Sequence, residues 1–328
     1  MKPFTYARPA DEGAARAAGA ADGARYLAGG TGLVDLWRLG VENPASLVDI
    51  KGLGLDQIEA TPDGGLRIGA LARNSDVAYH ARVREAFPAL SQALLAGASP
   101  QIRNMATTGG NLLQRTRCSY FRDPTQPCHK REPGTGCGAL TGYHRMHAIL
   151  GGSEQCIAVN PSDMNVALVA LEARVIVRGP KGERTVAMSD LHVVPGTTPQ
   201  VETVLERGEL ITHVTLAPSP VAARSVYVKV RDRASYAFAL ASAAVGLELD
   251  GDTIKTARVA LGGVATKPWR CPEAERALVG KKATPEVFRK AAQVATTGAR
   301  PLRDNAFKVP LVQRVVARAL EQAAGGSR

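Results

Sequence analysis

Four cysteines fall in one segment of the chain, and cysteine thiolates are common ligands of zinc and of iron–sulfur clusters. They are Cys118, Cys128, Cys137 and Cys156, with the spacing Cys-x9-Cys-x8-Cys-x18-Cys. No pair has the Cys-x2-Cys spacing of most zinc knuckles and bacterial ferredoxins. The spacing therefore leaves three interpretations open: two disulfides, a four-cysteine zinc site or a four-cysteine iron–sulfur cluster. The fifth cysteine, Cys271, lies far along the chain and is expected to be an ordinary core cysteine.

The surroundings of these cysteines bear on the choice. Disulfides need an oxidising compartment, and the first eight residues have no apolar core or cleavage site of a signal peptide. His144 and His147 could replace a thiolate, but two polar surface histidines are the simpler interpretation. Basic residues near the first two cysteines are expected to offset the charge of four thiolates and to lower the thiol pKa values, which modestly favours iron over zinc. These are Arg115, Arg117, Arg122, Lys130 and Arg131.

A second stretch has the composition of an anion-binding turn. Leu27-Ala28 ends a predicted strand, Gly29-Gly30-Thr31-Gly32 forms a turn, and residues 33–40 predict a helix with Thr31 as its N-cap. Glycines let backbone N–H groups approach a phosphate, and a helix start favours negative charge. A nicotinamide fingerprint would need a third glycine at position 35, which is Asp35. A plain strand–helix turn explains the pattern equally well.

Two polar stretches flank the cysteines. Residues 101–111 are small and polar and bury little apolar surface, so something else is expected to hold them in place. A pyrophosphate or ribityl chain would do so through the hydroxyl of Thr107, the open backbone of Gly110 and the amide of Asn111. Asp163 could accept hydrogen bonds from a ribose diol, cap the helix that begins there, or do both.

Hydrophobic patterns place these segments among predicted strands and helices. Strands are predicted at 25–28, 46–50, 66–70, 173–178 and 210–216, and helices near residue 76, at 88–96 and at 164–171. After a linker at 217–220, three strands (225–231, 243–249 and 253–261) precede helices that include 308–324. Strands followed by helices predict an α+β domain with a three-stranded antiparallel sheet.

Length and charge exclude several classes of protein. With 328 residues the chain suits two or three compact units, and no apolar run approaches the roughly 20 residues of a membrane span. The net charge of +11 invites a nucleic-acid partner, but the basic residues are scattered and lack interleaved aromatics, so no such partner is expected. The cytoplasm is the default compartment. Export to the periplasm, bound to a partner that carries the signal, would leave the same sequence.

Three motifs together resemble the FAD-binding medium subunit of the molybdenum hydroxylases, the group of xanthine dehydrogenase and carbon monoxide dehydrogenase. They are Leu27-Ala28-Gly29-Gly30-Thr31-Gly32-Leu33, the stretch from Ile102-Arg103-Asn104 to Gly109-Gly110-Asn111, and Pro161-Ser162-Asp163. In most of the family the Gly-Gly-Asn turn is followed closely by the Asp motif. Here the cysteine segment separates them, and this departure resembles the aldehyde-oxidoreductase branch, whose medium subunit carries an extra 4Fe-4S cluster.

The resemblance implies an α+β chain with a two-subdomain FAD-binding fold of the PCMH/VAO type and a C-terminal α+β domain. The subdomains would span 1–60 and 61–217, with an iron–sulfur insertion loop at 114–157, and the C-terminal domain 218–328. A 4Fe-4S cluster would bind to Cys118, Cys128, Cys137 and Cys156. Ile211 and Lys229 would lie near the flavin ring. The other residues implied to hold FAD are Leu27, Ala28, Gly29, Gly30, Thr31, Gly32, Thr107, Gly110, Asn111 and Asp163.

The resemblance also implies a function as an electron-transfer subunit of a heterotrimer that oxidises an aldehyde, xanthine or another N-heterocycle. A large molybdopterin subunit would oxidise the substrate. A small subunit with two 2Fe-2S clusters would pass the electrons to FAD and on to an external acceptor. Two alternatives are a self-contained flavin oxidase with a structural zinc loop and a basic zinc-loop binding module without flavin.

Overall fold

A computed structural model describes residues 2–325, and its first sheet is parallel with the strand order β1-β3-β2. Each crossover between these strands contains a helix, as parallel pairing requires. The glycine turn follows the carboxyl end of β2, at the edge where α/β sheets bind ligands. The elements are β1 (Thr5–Ala7), α1 (Glu12–Gly19), β2 (Ala24–Leu27), α2 (Leu33–Arg38) and β3 (Ser46–Asp49).

The second sheet is antiparallel with the order β4-β5-β8-β6-β7. Its strands are β4 (Ile58–Ala60), β5 (Leu66–Gly69), β6 (Arg174–Gly179), β7 (Gly182–Ala187) and β8 (Leu210–Leu216). The helices between β5 and β6 are α3 (Asn74–Tyr79), α4 (Ala81–Ala86), α5 (Pro88–Ala96), α6 (Pro100–Arg103), α7 (Thr108–Leu112), α8 (Ser119–Arg122), α9 (Gly138–Thr141) and α10 (Asp163–Ala170), and α11 (Met188–Leu191) follows β7. The cysteine segment thus lies between α7 and α10.

The third sheet is antiparallel with the order β12-β11-β10-β9. The three long strands confirm the predicted C-terminal sheet, and the helices that follow them cover one face. The fourth strand has two residues, too few for a period-2 pattern to reveal it. The elements are α12 (Pro220–Ala223), β9 (Ser225–Val230), β10 (Ala241–Asp250), β11 (Thr253–Gly262), β12 (Trp269–Arg270), α13 (Pro272–Leu278), α14 (Pro285–Val294) and α15 (Lys308–Ala323).

Helix α10 lies at the centre of the molecule, in contact with α5, β10 and β11. All eight of its residues are buried, because it is apolar on every side except at Asp163 and Asn165. The Pro161-Ser162-Asp163 motif is therefore carried into the interior, between the second and third sheets. Within residues 2–325, no helix combines the length and the hydropathy needed to cross a membrane.

The helix N-caps in the structure differ from those predicted from the sequence. Thr31 does not cap α2, whose N-cap is Gly32 with no side-chain hydrogen bond. Asp163 does not cap α10 either, since the Ser162 hydroxyl accepts from the Asn165 N–H at 3.1 Å. A capping oxygen must precede the first helical residue, so a boundary displaced by one residue changes which side chain can cap.

Candidate functional site

The turn between β2 and α2 presents unpaired N–H groups to a large cleft. Gly30 has a φ of +74°, a left-handed conformation that glycine adopts at little cost. The backbone N–H groups of residues 30–33 make no hydrogen bond within the described chain. All four residues line a cleft of about 740 Å³. Consecutive free N–H groups of this kind bind anions.

The opposite wall comes from the polar stretch at 101–111, which is more ordered than its composition predicts. Thr108 donates from its N–H to the Ala72 carbonyl at 2.9 Å, and Gly109 donates to the Ala70 carbonyl at 2.7 Å. Thr107 is the N-cap of α7 and accepts from the Gly110 N–H at 3.3 Å. Hydrogen bonds to the chain that follows β5 therefore hold this stretch, without help from burial of apolar side chains.

The cleft continues into a second cavity of about 450 Å³, and Thr31, Gly32 and Gly110 line both. Leu27 lines neither. Asn111, Asp163 and Lys229 line the second cavity. The structure thus brings eleven of the twelve predicted FAD-binding residues to one continuous cleft. Those lining the first cavity are Ala28, Gly29, Gly30, Thr31, Gly32, Thr107, Gly110 and Ile211.

Asp163 and Lys229, predicted at the ribose and at the flavin ring, are in direct contact. The ammonium of Lys229 lies 2.7 Å from Asp163 Oδ2, and the two side chains are only 3% and 9% exposed, respectively. The hydroxyl of Tyr227 donates to Asp163 Oδ1, and burial beside that carboxylate raises the Tyr227 pKa well above 10. Sequence reasoning missed Tyr227, although residues two apart on a strand such as β9 share a face.

The four cysteines of the segment line one small cavity, together with Tyr120 and other side chains. Cys128 and Cys137 are also antiparallel bridge partners. All five cysteines lie in the described region and none is in a disulfide, so the disulfide interpretation is not realised. Within residues 2–325, no group of three or more His, Cys, Asp or Glu side chains could hold a metal ion. The four thiols therefore share a cavity without converging on one point.

The basic residues around the cysteines do not have the predicted role. Arg117 and Arg122 bind Asp35 at 2.9 and 2.8 Å. Arg115 and Lys130 bind Glu202 at 3.2 and 2.9 Å. Their charges are thus taken up by acidic residues from outside the segment, which a local pattern does not reveal. Arg131 donates instead to backbone carbonyls of the loop, including that of Phe121 at 2.8 Å.

The thiol pKa values consequently move in the opposite direction to the prediction. Burial raises the pKa of Cys118 to about 12 and that of Cys156 to about 11. Lys130 lowers the pKa of Cys156, but by less than burial raises it. A thiol taken out of water ionises only beside a strong positive charge. Thiolates in this cavity would therefore need the charge of a bound metal.

The sequence suggested that the histidines of this segment lie at the surface, but both are buried. His144 and His147 are 4% and 5% exposed. His147 Nε2 lies 3.1 Å from Cys118 Sγ, whereas His144 Nε2 accepts from the Asp304 N–H at 3.0 Å. Asp304, just before α15, and Lys308, its first residue, contact these histidines across about 160 residues of sequence. Cys271 is buried at 5% exposure, as predicted for a core cysteine.

Lys308 lies behind His147, is fully buried, and has no carboxylate partner among residues 2–325. Its ammonium donates to the His147 carbonyl at 3.0 Å and to the Gly263 carbonyl at 2.6 Å. Burial lowers the pKa of Lys308 to about 7 from its ordinary 10.5. Between these two pH values the unfolded chain binds a proton that the folded chain does not.

Because of Lys308, the free energy of unfolding is therefore expected to rise as the pH rises from 7 towards 10.5. Relative to Lys308→Met, the wild type should gain about 2 kcal/mol of unfolding free energy between pH 7 and 9. Urea unfolding at both pH values measures this, and other titrating groups, including the cysteines, cancel in the comparison. Parallel pH profiles for the two proteins would contradict the assignment.

Comparison with known proteins agrees with this geometry. Residues 2–219 match the family described as the FAD binding domain in molybdopterin dehydrogenase, and residues 226–323 match the CO dehydrogenase flavoprotein C-terminal domain. The chain is 52% identical over 328 residues to the aldehyde oxidoreductase FAD-binding subunit PaoB of Escherichia coli (strain K12), covering 98% of this chain and 99% of that protein.

More distant relatives have the same architecture. The chain is 29% identical to the glyceraldehyde dehydrogenase medium chain of Sulfolobus acidocaldarius, over 87% of this chain and 83% of that one. The solved reconstituted CO dehydrogenase from Oligotropha carboxidovorans superposes with a TM-score of 0.78 at 24% identity, covering 99% of both chains, which shows the fold. The predicted α+β fold and the predicted family are confirmed: this chain is an FAD-binding medium subunit of the molybdenum hydroxylase family of oxidoreductases.

Proposed function

We propose that the chain is the FAD- and 4Fe-4S-binding electron-transfer subunit of a heterotrimeric, molybdenum-containing aldehyde oxidoreductase. The observation that carries this proposal is that four cysteines from one inserted segment line a single buried cavity in a chain that also holds an FAD cleft. An aldehyde is favoured over xanthine or another heterocycle because the relative at 52% identity is named an aldehyde oxidoreductase subunit.

The cleft fits FAD in size and in chemistry. Its two cavities of about 740 and 450 Å³ fall in the range of ligand sites. The pyrophosphate is assigned to the free N–H groups of residues 30–33, at the junction of the cavities, so that one half of FAD enters each. Thr107, Gly110 and Asn111 line the other side of that junction. Bound FAD would supply reversible one- and two-electron chemistry, and this chain would bind it, orient it and limit its contact with water.

The two predicted neighbours of the flavin ring lie on different sides of this junction. Ile211 lines the first cavity and Lys229 the second. A ring that lies beside Lys229 would also be near Asp163, whose carboxylate is already bound by Lys229 and Tyr227. We assign Lys229 and Asp163 to the same end of FAD, and Ile211 to the wall of the first cavity.

We assign a cluster rather than a single ion to the cysteine cavity, because no three of the described His, Cys, Asp or Glu side chains converge on one metal ion. A zinc ion needs four ligand atoms about 2.0–2.3 Å from one point. In a cubane cluster each cysteine would bind a different iron, so the four sulfur atoms need not meet at one point. The Ala158 N–H points to Cys156 Sγ at 3.5 Å, a contact that would stabilise a thiolate there. A bound cluster would supply one-electron storage. The four thiols would lose their protons on binding, as metal binding requires.

The proposed partners are a large molybdopterin subunit that oxidises the substrate and a small subunit with two 2Fe-2S clusters that delivers electrons to FAD. An external acceptor would then take the electrons. Support comes from the relatives named medium chains. Within this chain we propose FAD-binding subdomains at 1–60 and 61–217, with the insertion loop at 114–157, and a C-terminal domain at 218–328. The cytoplasm is the proposed compartment, and co-export to the periplasm with a signal-bearing partner is the alternative.

Metal and flavin analysis of anaerobically purified protein tests the proposal. The wild type is expected to contain about four irons and four acid-labile sulfides per FAD. Cys118→Ser should lose most of the iron and keep FAD, because the cysteine cavity and the glycine turn are separate. Cys271→Ser, a buried cysteine outside the segment, is the matched control and should keep both.

Other outcomes would replace the proposal. Zinc in place of iron, with FAD retained, would favour a self-contained flavin oxidase with a structural zinc loop. That oxidase should turn over an alcohol or an amine without partner subunits. Equal iron in Cys118→Ser and Cys271→Ser would show that the segment does not hold the iron.

A further inference from the structure

We propose that His147 donates a hydrogen bond from its Nε2–H to the sulfur of Cys118 and thereby raises the reduction potential of the cluster. This inference rests on the proposed function, since it concerns the cluster that Cys118 would bind. His147 would be a positioning residue that acts through Cys118, and not itself a ligand.

The position of His147 is fixed from several sides. Its Nε2 lies 3.1 Å from Cys118 Sγ, within hydrogen-bonding distance of sulfur. Its backbone N–H donates to the His144 carbonyl at 3.0 Å. Its own carbonyl accepts from Lys308 Nζ at 3.0 Å and from Asn305 Nδ2 at 3.4 Å. Asn305, just before α15, and Lys308, its first residue, thus hold the backbone of His147 in place.

The surroundings of the two ring nitrogens of His147 favour donation to sulfur. Its Nδ1 has no hydrogen-bond partner among the described residues, whereas Nε2 faces Cys118. A metal-bound thiolate can only accept a hydrogen bond. The proton is therefore best placed on Nε2.

Such a bond has a defined electrostatic effect. A cluster gains one negative charge on reduction, and hydrogen bonds to its sulfurs stabilise the reduced form. Among the side chains of residues 2–325, only that of His147 has a nitrogen within hydrogen-bonding distance of a cysteine sulfur of the segment. Three of the four arginines expected to supply positive charge are instead paired with Asp35, Glu42 or Glu202. The imidazole N–H takes over part of that role.

The experiment compares the wild type with His147→Leu, His147→Gln and His144→Leu, each as the full chain purified anaerobically with any subunits that accompany it. Iron content is measured first, and the cluster potential then follows from a redox titration monitored by electron paramagnetic resonance. His147→Leu should keep about four irons. It should lower the equilibrium constant for one-electron reduction of the cluster about tenfold, which corresponds to a reduction potential about 59 mV lower. His147→Gln, whose amide N–H reaches a similar position, should restore most of the shift.

His144→Leu is the matched control, because His144 is equally buried in the same segment and does not contact a cysteine. It should have the wild-type potential. An unchanged potential in His147→Leu with full iron content would overturn the inference. Loss of iron from both His147 variants, but not from His144→Leu, would overturn it in favour of a ligand role. A wild type without iron would refute the proposed function itself, before any variant is compared.

Discussion

Replacing Gly29 by alanine is expected to weaken FAD binding and to lower FAD retention while leaving the iron content unchanged. A Cβ on Gly29 would overlap the carbonyl oxygen of Met105, which is backbone and cannot rotate away. The glycine turn would have to move from the wall formed by Thr107 and Gly110, widening the place where the pyrophosphate is assigned. Overpacking of this kind costs about 1–3 kcal/mol, which, if it is lost from binding, corresponds to roughly 5- to 150-fold weaker FAD binding.

The measurement is the ratio of flavin to protein after gel filtration, followed by FAD titration of the stripped protein. Gly52→Ala is the matched control. A Cβ there would meet the Arg8 side chain at 3.6 Å, an ordinary contact, and Gly52 does not line the cleft. Wild-type FAD affinity in Gly29→Ala would show that the close approach of the turn to Met105 is not needed for the site.

Lys229→Met is expected to destabilise the chain by about 3–5 kcal/mol, because it leaves the Asp163 carboxylate buried without its cation. The Tyr227 hydroxyl would remain as a hydrogen-bond donor to that carboxylate, but a neutral donor does not replace a positive charge. The double variant Asp163→Asn/Lys229→Met should recover most of the loss, because both charges are then gone.

A double-mutant cycle by urea unfolding of the FAD-free protein separates the pair energy from the effects of each substitution. The control is the surface pair of Lys181 and Glu206, which has a similar separation of 2.8 Å but exposed side chains. Lys181→Met should leave the unfolding midpoint within experimental error of the wild type. If Lys229→Met behaves like Lys181→Met, burial does not govern the strength of the Asp163–Lys229 pair.

Local sequence patterns predicted most of the secondary structure. The strand at 210–216 and the helix at 88–96 coincide with β8 and α5, because period-2 alternation and proline at a helix start are local signals. The glycine turn, the Gly-Gly-Asn turn and the Asp motif were also recognisable as fixed strings. Their meeting in one cleft was implied only by the family resemblance, since they lie on separate elements.

Environment was harder to predict than element type. His144 and His147 were interpreted as polar surface residues, but residues about 160 positions later in the sequence contact and bury them. The arginines were assigned to the cysteines because they are near in sequence, yet Arg117 forms an ion pair with Asp35 and Arg115 one with Glu202. Burial and ion pairing depend on contacts between distant segments, which no local pattern contains.

The sequence by itself determined the family of this chain, its α+β class and the set of cysteines and glycines to which we assign its cofactors. Only the tertiary structure decided how these groups are tuned. It placed Lys229 against Asp163, His147 against the sulfur of Cys118, and Arg117 and Arg122 against the carboxylate of Asp35. The physical reason is that side-chain identity is local, whereas desolvation and charge pairing are set by whatever the fold brings within a few ångströms.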